Sequence, residues 1–138
     1  MELGDPGIPH AVVPYHDLRH ADEQELRQLG RAIRWYPGFP KGANVNFYEL
    51  TGEDQLFERT VERGVEDFTY ACGTGTGSVV TVLTLQGKVT GHGVRASMTG
   101  GELVVDAHRV HSRIDRLYLT GPTNIVCKGE VTDEELRL

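Results

Sequence analysis

Hydrophobic and polar positions alternate in short runs along most of the chain, and the period changes from two to about 3.6 in one place near the start. His10-Ala11-Val12-Val13 is a short strand ended by Pro14. From Ala21 to Trp35, Leu26, Leu29, Ala32 and Ile33 recur at helical spacing. Asp22 and Glu25 give this segment a capping-box start, and Pro37 bounds its end. Asn44 to Leu50 alternates again, with Val45 and Phe47 opposite Asn44 and Asn46, so a half-buried strand offers two amides on one face as a candidate site wall. Gln55 to Arg63 is a second alternating run, in which Phe57 and Val61 point away from Glu62. Further strands are expected at Val94–Met98 and Glu102–Asp106, joined across Thr99-Gly100-Gly101, and at Ile114–Leu119 and Asn124–Cys127. Thr132-Asp-Glu-Glu has capping-box spacing and predicts the start of a terminal helix.

Val79 to Leu85 fits two readings. Its β-branched residues on both faces favour a buried strand by propensity. The preceding Ala71-Cys72-Gly73-Thr74-Gly75-Thr76-Gly77-Ser78 favours a helix start with free backbone amides, and a helix enclosed by sheet is apolar all round.

The chain has 138 residues, enough for one buried core, and is read as a single domain over residues 1–138. Its formal net charge is −6 and its basic residues are scattered, which argues against a nucleic-acid partner. No apolar run reaches membrane-spanning length and the first ten residues lack a leader pattern, so a cytoplasmic protein without membrane association is expected. The two cysteines, Cys72 and Cys127, are too few for a secreted disulfide framework and are read as free thiols. Neither has zinc-site spacing, although His108 and His111 flank one loop, and no metal is expected.

Cys72 followed by Gly-Thr-Gly-Thr-Gly-Ser is the most informative feature. Small residues let the backbone close on an anion, and the positive end of a helix dipole favours thiolate. Taken alone, the loop is more often a plain glycine-rich turn beside a buried cysteine. It is not a nucleotide-binding P-loop, because the Gly-Lys-[Ser/Thr] ending is missing. Ten residues upstream of Cys72 lies Glu62, followed by Arg63. A carboxylate to accept from an ammonium group and a guanidinium to clamp a carboxylate suit a zwitterionic ligand. The plain alternative is a solvated ion pair.

Gly-Ile-Pro-His-Ala-Val-Val, Phe-Pro-Lys-Gly-Ala-Asn-Val-Asn-Phe, Glu-Arg-Gly-Val-Glu-Asp and Ala-Cys-Gly-Thr-Gly-Thr-Gly, in this order, resemble the diaminopimelate epimerases, and the closing Leu-Thr-Gly-Pro-Thr-Asn-Ile-Val-Cys-Lys-Gly-Glu looks like that family's last strands. The resemblance runs from about Gly4 to Glu130 and corresponds to the family's C-terminal half. It implies an α+β fold, a mixed, largely antiparallel sheet curled round a central helix, with the active site between two such halves and one cysteine from each. The N-terminal half with the second cysteine is then expected as a partner, a homodimer is possible, and this chain alone should neither epimerise nor bind an amino acid tightly.

By the same resemblance, the activity is cofactor-independent interconversion of LL- and meso-diaminopimelate in lysine and peptidoglycan precursor biosynthesis. Cys72 matches the second catalytic cysteine, and Gly73 and Thr74 the backbone donors to the reacting carboxylate. Asn44, Glu62 and Arg63 match residues that hold the distal end of the substrate, with Glu62 also near the thiol, and His10 a histidine near the opposing cysteine. Cys127 has no catalytic counterpart and is read as a strand residue. Ile8 departs from the pattern where most relatives carry Asn, and Val65 to Tyr70 adds acidic and aromatic groups beside the site. These departures leave open a related racemase acting on another amino acid, such as a histidine or proline derivative, and a non-catalytic domain that works only beside a partner half.

Overall fold

A computed structural model describes residues 8–130. Its strands are β1 (His10–Pro14), β2 (Asn44–Gly52), β3 (Gln55–Val61), β4 (Phe68–Thr69), β5 (Val94–Met98), β6 (Gly101–Val110) and β7 (Arg113–Thr120), and its helices are α1 (Glu23–Arg34) and α2 (Gly73–Leu85). All seven strands form one sheet in the order β1-β2-β3-β5-β6-β7, with β4 paired to β3. The β1–β2 and β3–β5 pairs are parallel; β2–β3, β3–β4, β5–β6 and β6–β7 are antiparallel. Helix α2 touches β1 and β2 towards one end of this order and β6 and β7 at the other, so the sheet curls round it. This is the α+β, largely antiparallel architecture with a central helix.

The residues from Val79 to Leu85 are helical, which decides between the two readings of that segment. Val79, Val80 and Leu83 are buried against Tyr48, Leu56, Val94, Ala96 and Val105 from strands across the sheet. A helix wrapped by a sheet buries β-branched residues on several faces, and that burial outweighs their weak helix propensity, a few tenths of a kcal/mol per residue (~0.5).

Helix α1 covers the sheet's other face. Asp22 caps it, its side chain accepting from the Glu25 amide at 2.9 Å. Leu26 packs with Val45, Phe47, Phe57 and Val61 in a second apolar cluster. Leu29, expected on the apolar stripe, is exposed; the buried face runs instead through Leu26 and Gly30. A Cβ at Gly30 would come within 2.8 Å of Val61 Cγ2, so the glycine lets helix and strand approach closely and sets which face turns inward.

The alternation in β2 is as expected: Val45 and Phe47 join the cluster under α1, while Tyr48 joins the cluster round α2. The strand is not half-buried, however, because both faces are covered and Asn44 to Tyr48 are all buried. Glu62 and Arg63 fall just beyond β3, where the chain turns: the Glu66 amide donates to the Glu62 carbonyl at 2.8 Å.

One expected strand does not form. Asn124–Cys127 has no ladder partner among the described residues; Ile125 and Val126 are 84% and 90% exposed, and Cys127 is an exposed free thiol rather than a strand residue. Alternating β-branched residues make a strand only where a neighbour supplies hydrogen bonds. The terminal helix expected from Thr132 lies outside the described residues.

Candidate active site

Cys72 is the N-cap of α2, with extended backbone (φ −138°, ψ 97°), and its carbonyl accepts from the Thr76 amide at 2.9 Å. Its side chain makes no capping bond, so the sulfur lies at a helix start whose first amides have no intrahelical acceptor. Cys72 is 8% exposed, and its Sγ is 3.6 Å from Thr74 Oγ1. Gly73 is half-buried and Thr74 exposed. Gly75 keeps the space beneath the thiol open: a Cβ there would lie 3.2 Å from Cys72 Sγ and inside van der Waals contact of Asn46 Oδ1.

Beneath this helix start, the sheet presents polar side chains. Asn46, fully buried, donates to the Ala11 carbonyl at 3.0 Å and accepts from Thr60 Oγ1 at 3.0 Å. Its Nδ2 also lies 3.2 Å from His10 Nδ1. Because the Ala11 carbonyl can only accept, the amide presents its NH2 group to His10, which makes Nδ1 the acceptor and leaves the imidazole proton on Nε2. Burial holds the His10 pKa below its usual range, opposed by the negative charge of Glu62.

Asn44 lies opposite His10 in the β1–β2 register. Its Oδ1 accepts from the Arg63 amide at 2.8 Å, tying the first residue of β2 to the turn after β3. The Arg63 guanidinium donates through Nη1 to the Lys41 carbonyl at 2.7 Å. The turn is pinned from α1, where the buried Arg34 donates from Nε to both Glu66 oxygens at 2.8 Å, and Glu66 accepts from the Gly64 amide at 3.0 Å. The Arg34 bonds, more than the Gly64 amide, hold the Glu66 carboxyl down to about 2.

His10, Asn44, Glu62 and Arg63 thus gather at one end of the sheet through the β1–β2 register, the Asn44–Arg63 bond and the charge of Glu62 on His10, while Cys72, Gly73 and Thr74 form the helix start above Asn46. On sequence, Asn46 shared a candidate site wall with Asn44, whereas Thr60, Thr76 and Glu58 carried no individual site role. Alternation carried the signal: Leu56, Glu58 and Thr60 share the β3 face towards α2, and a carboxylate on an apolar face marks an unusual position. His108, read as flanking a loop, is bonded to Asp115 at 2.5 Å.

A protein-family model described as diaminopimelate epimerase matches residues 4–126. The chain belongs to the diaminopimelate epimerase family. It is 40% identical over 129 residues to the diaminopimelate epimerase of Chlorobaculum tepidum, covering 93% of this chain and 48% of that protein. It is 39% identical over 132 residues to that of Aquifex aeolicus, covering 94% of this chain and 45% of the relative. The chain therefore spans about half the length of the curated diaminopimelate epimerases it matches. Among solved structures, a Bacillus anthracis phenazine biosynthesis protein of the PhzF family superposes with a TM-score of 0.56 at 16% identity, over 82% of this chain and 34% of that one, which is a likeness of fold. No helix among the described residues is long and apolar enough to cross a membrane.

Proposed function

We propose that this chain forms one wall of a cofactor-independent amino-acid epimerase site whose substrate is diaminopimelate, and that Cys72 is one of its two acid/base thiols. The observation that carries the reading is a cysteine at the N-cap of a central helix, its sulfur free of any capping bond, above a sheet end that gathers Asn44, Glu62 and Arg63.

An α-hydrogen of an amino acid is weakly acidic, so its removal without an electron sink needs a close base and donors preorganised for carboxylate charge. In this reading the Cys72 thiolate takes the proton from one face, and its S–H forms as the C–H bond breaks. The electron pair left on carbon is stabilised as the amides of Gly73 and Thr74 bind the adjoining carboxylate. A thiol on the opposite face, supplied by a partner half, then delivers its proton to carbon and inverts the centre. In the reverse direction the roles exchange. Arg63 clamps the distal carboxylate, Glu62 and Asn44 take the distal ammonium group, and His10 adjoins the opposing thiol. No metal or cofactor has a part in this scheme.

Ile8 favours a second reading, a racemase of the same chemistry with another side-chain pocket. It is 39% exposed at the entry to β1, where an apolar group cannot hydrogen-bond a polar substrate end. Substrate screening with both halves present separates the two: preference for diaminopimelate supports the first, and preference for a monocarboxylic amino acid overturns it. The thiol assignment is tested by iodoacetamide near neutral pH. Cys72 should react much faster than the exposed Cys127, and equal or slower reaction contradicts an activated thiol.

A further inference from the structure

Glu58 lies in the middle of β3, opposite Tyr48 in the β2 register, and is 1% exposed. Its Oε1 is hydrogen-bonded to Thr76 Oγ1, and its Oε2 is buried without a partner among the described residues. The same Thr76 hydroxyl lies 3.1 Å from the carbonyl of Cys72. A hydroxyl has one hydrogen, so it cannot donate to both oxygens. If the carboxyl carries a proton, the count closes: Glu58 donates to Thr76, and Thr76 donates to the Cys72 carbonyl. An ionised carboxylate would take the Thr76 hydrogen, withdraw it from the Cys72 carbonyl and place a buried negative charge beneath the start of α2.

We infer that Glu58 is a positioning residue which, in its protonated form, holds the Cys72 helix start through Thr76, and whose ionisation suppresses the Cys72 thiolate. The inference rests on the reading of Cys72 as the acid/base thiol and adds to it a buried acid that limits thiol reactivity at high pH.

The surroundings offer this carboxyl little compensation. Residues 73–85 of α2 include no charged side chain, leaving Cys72 as the titratable group at its start. On β2, the Tyr48 hydroxyl accepts from Lys88 Nζ at 3.2 Å. On β1, His10 is bonded to Asn46, and on β5 the exposed Arg95 is paired with Glu102 at 2.9 Å. Beyond the end of β3, the negative charge of Glu62 acts on His10. Burial accordingly pushes the Glu58 carboxyl up to about 7, against the opposing Thr76 bond.

The test is the pH dependence of Cys72 alkylation in a Cys127→Ser background, with and without Glu58→Gln, together with NMR titration of the Glu58 carboxyl carbon in the unsubstituted chain. The expected rate ratio, Glu58→Gln over unsubstituted, is near unity at pH 6 and rises about three- to tenfold by pH 8.5, as expected for removing one nearby buried charge. The carboxyl carbon is expected to titrate near 7. A reactive Cys72 whose rate ratio stays constant with pH, or a Glu58 carbon that titrates with the exposed glutamates, overturns the inference and leaves the thiol assignment intact. A Cys72 no more reactive than Cys127 at any pH overturns both. The carbon titration needs no substitution, so it remains decisive if Glu58→Gln does not fold.

Discussion

Gly75 faces Asn46 so closely that any side chain at position 75 would overlap the Asn46 amide, which is itself fixed by three neighbours. Gly75→Ala should therefore destabilise the fold by about 1–3 kcal/mol despite alanine's better helix propensity, because a buried, bonded amide must shift. Gly77 is the control. A Cβ there would be 2.7 Å from Cδ2 of Leu117, a side chain 43% exposed and free to turn aside, so Gly77→Ala should stay within about 1 kcal/mol of the unsubstituted chain. Urea unfolding of the two variants measures the contrast.

Asn46 also fixes the His10 tautomer. Nitrogen-15 NMR should find the proton on Nε2, and Asn46→Ala should cost about 2–3 kcal/mol by leaving buried partners unsatisfied. Since the His10 pKa is lowered in the fold, the stability it contributes is present above its unfolded value of 6.5 and is lost as pH falls through the folded one. A stability-pH curve that His10→Gln leaves unchanged below pH 6.5 would contradict this.

Glu58 acts with the opposite sign. Its folded pKa is raised from 4.5 to about 7, so its contribution is complete below 4.5 and is lost as pH rises through about 7. Relative to the unsubstituted chain, Glu58→Gln should gain about 3 kcal/mol of stability between pH 4.5 and pH 8. Denaturant unfolding at those two pH values checks it, and taking the difference cancels the titration of His10.

Six of the seven strands, α1 and its cap were legible because periodicity and capping are local, whereas the two-residue β4 carries no period to read: Asp22 caps as its spacing from Glu25 indicates, and Val94–Met98 is paired end to end. The state of Val79–Leu85 was not legible from propensity, since its helix depends on a sheet assembled from residues before and after it. Asn124–Cys127 failed for the complementary reason: its pattern is that of a strand, but a strand needs a neighbour. Within the candidate site, motifs singled out Cys72, Glu62 and Arg63, whereas the Glu58–Thr76 and Arg34–Glu66 contacts join residues 18 and 32 positions apart and emerge only from packing.

The Arg34–Glu66 pair should govern the order of the turn that carries Glu62 and Arg63. Glu66→Ala leaves a buried guanidinium without its carboxylate and should lower the melting temperature and speed amide exchange at Gly64 and Glu66, whereas Arg59→Ala, which removes a more exposed pair to Glu23, should do less. The Glu66 carboxyl is depressed to about 2, so this contribution is present above 4.5 and disappears as pH falls through about 2.

The most direct test of the two-thiol reading is hydrogen exchange at the α-carbon. This chain is combined with the N-terminal half of a diaminopimelate epimerase, LL-diaminopimelate is added in deuterium oxide, and the α-hydrogen signal is followed by NMR with and without Cys72→Ser. The account predicts deuterium incorporation that requires both halves and is abolished by Cys72→Ser. Exchange that survives Cys72→Ser, or a folded complex that exchanges no amino acid, would contradict it.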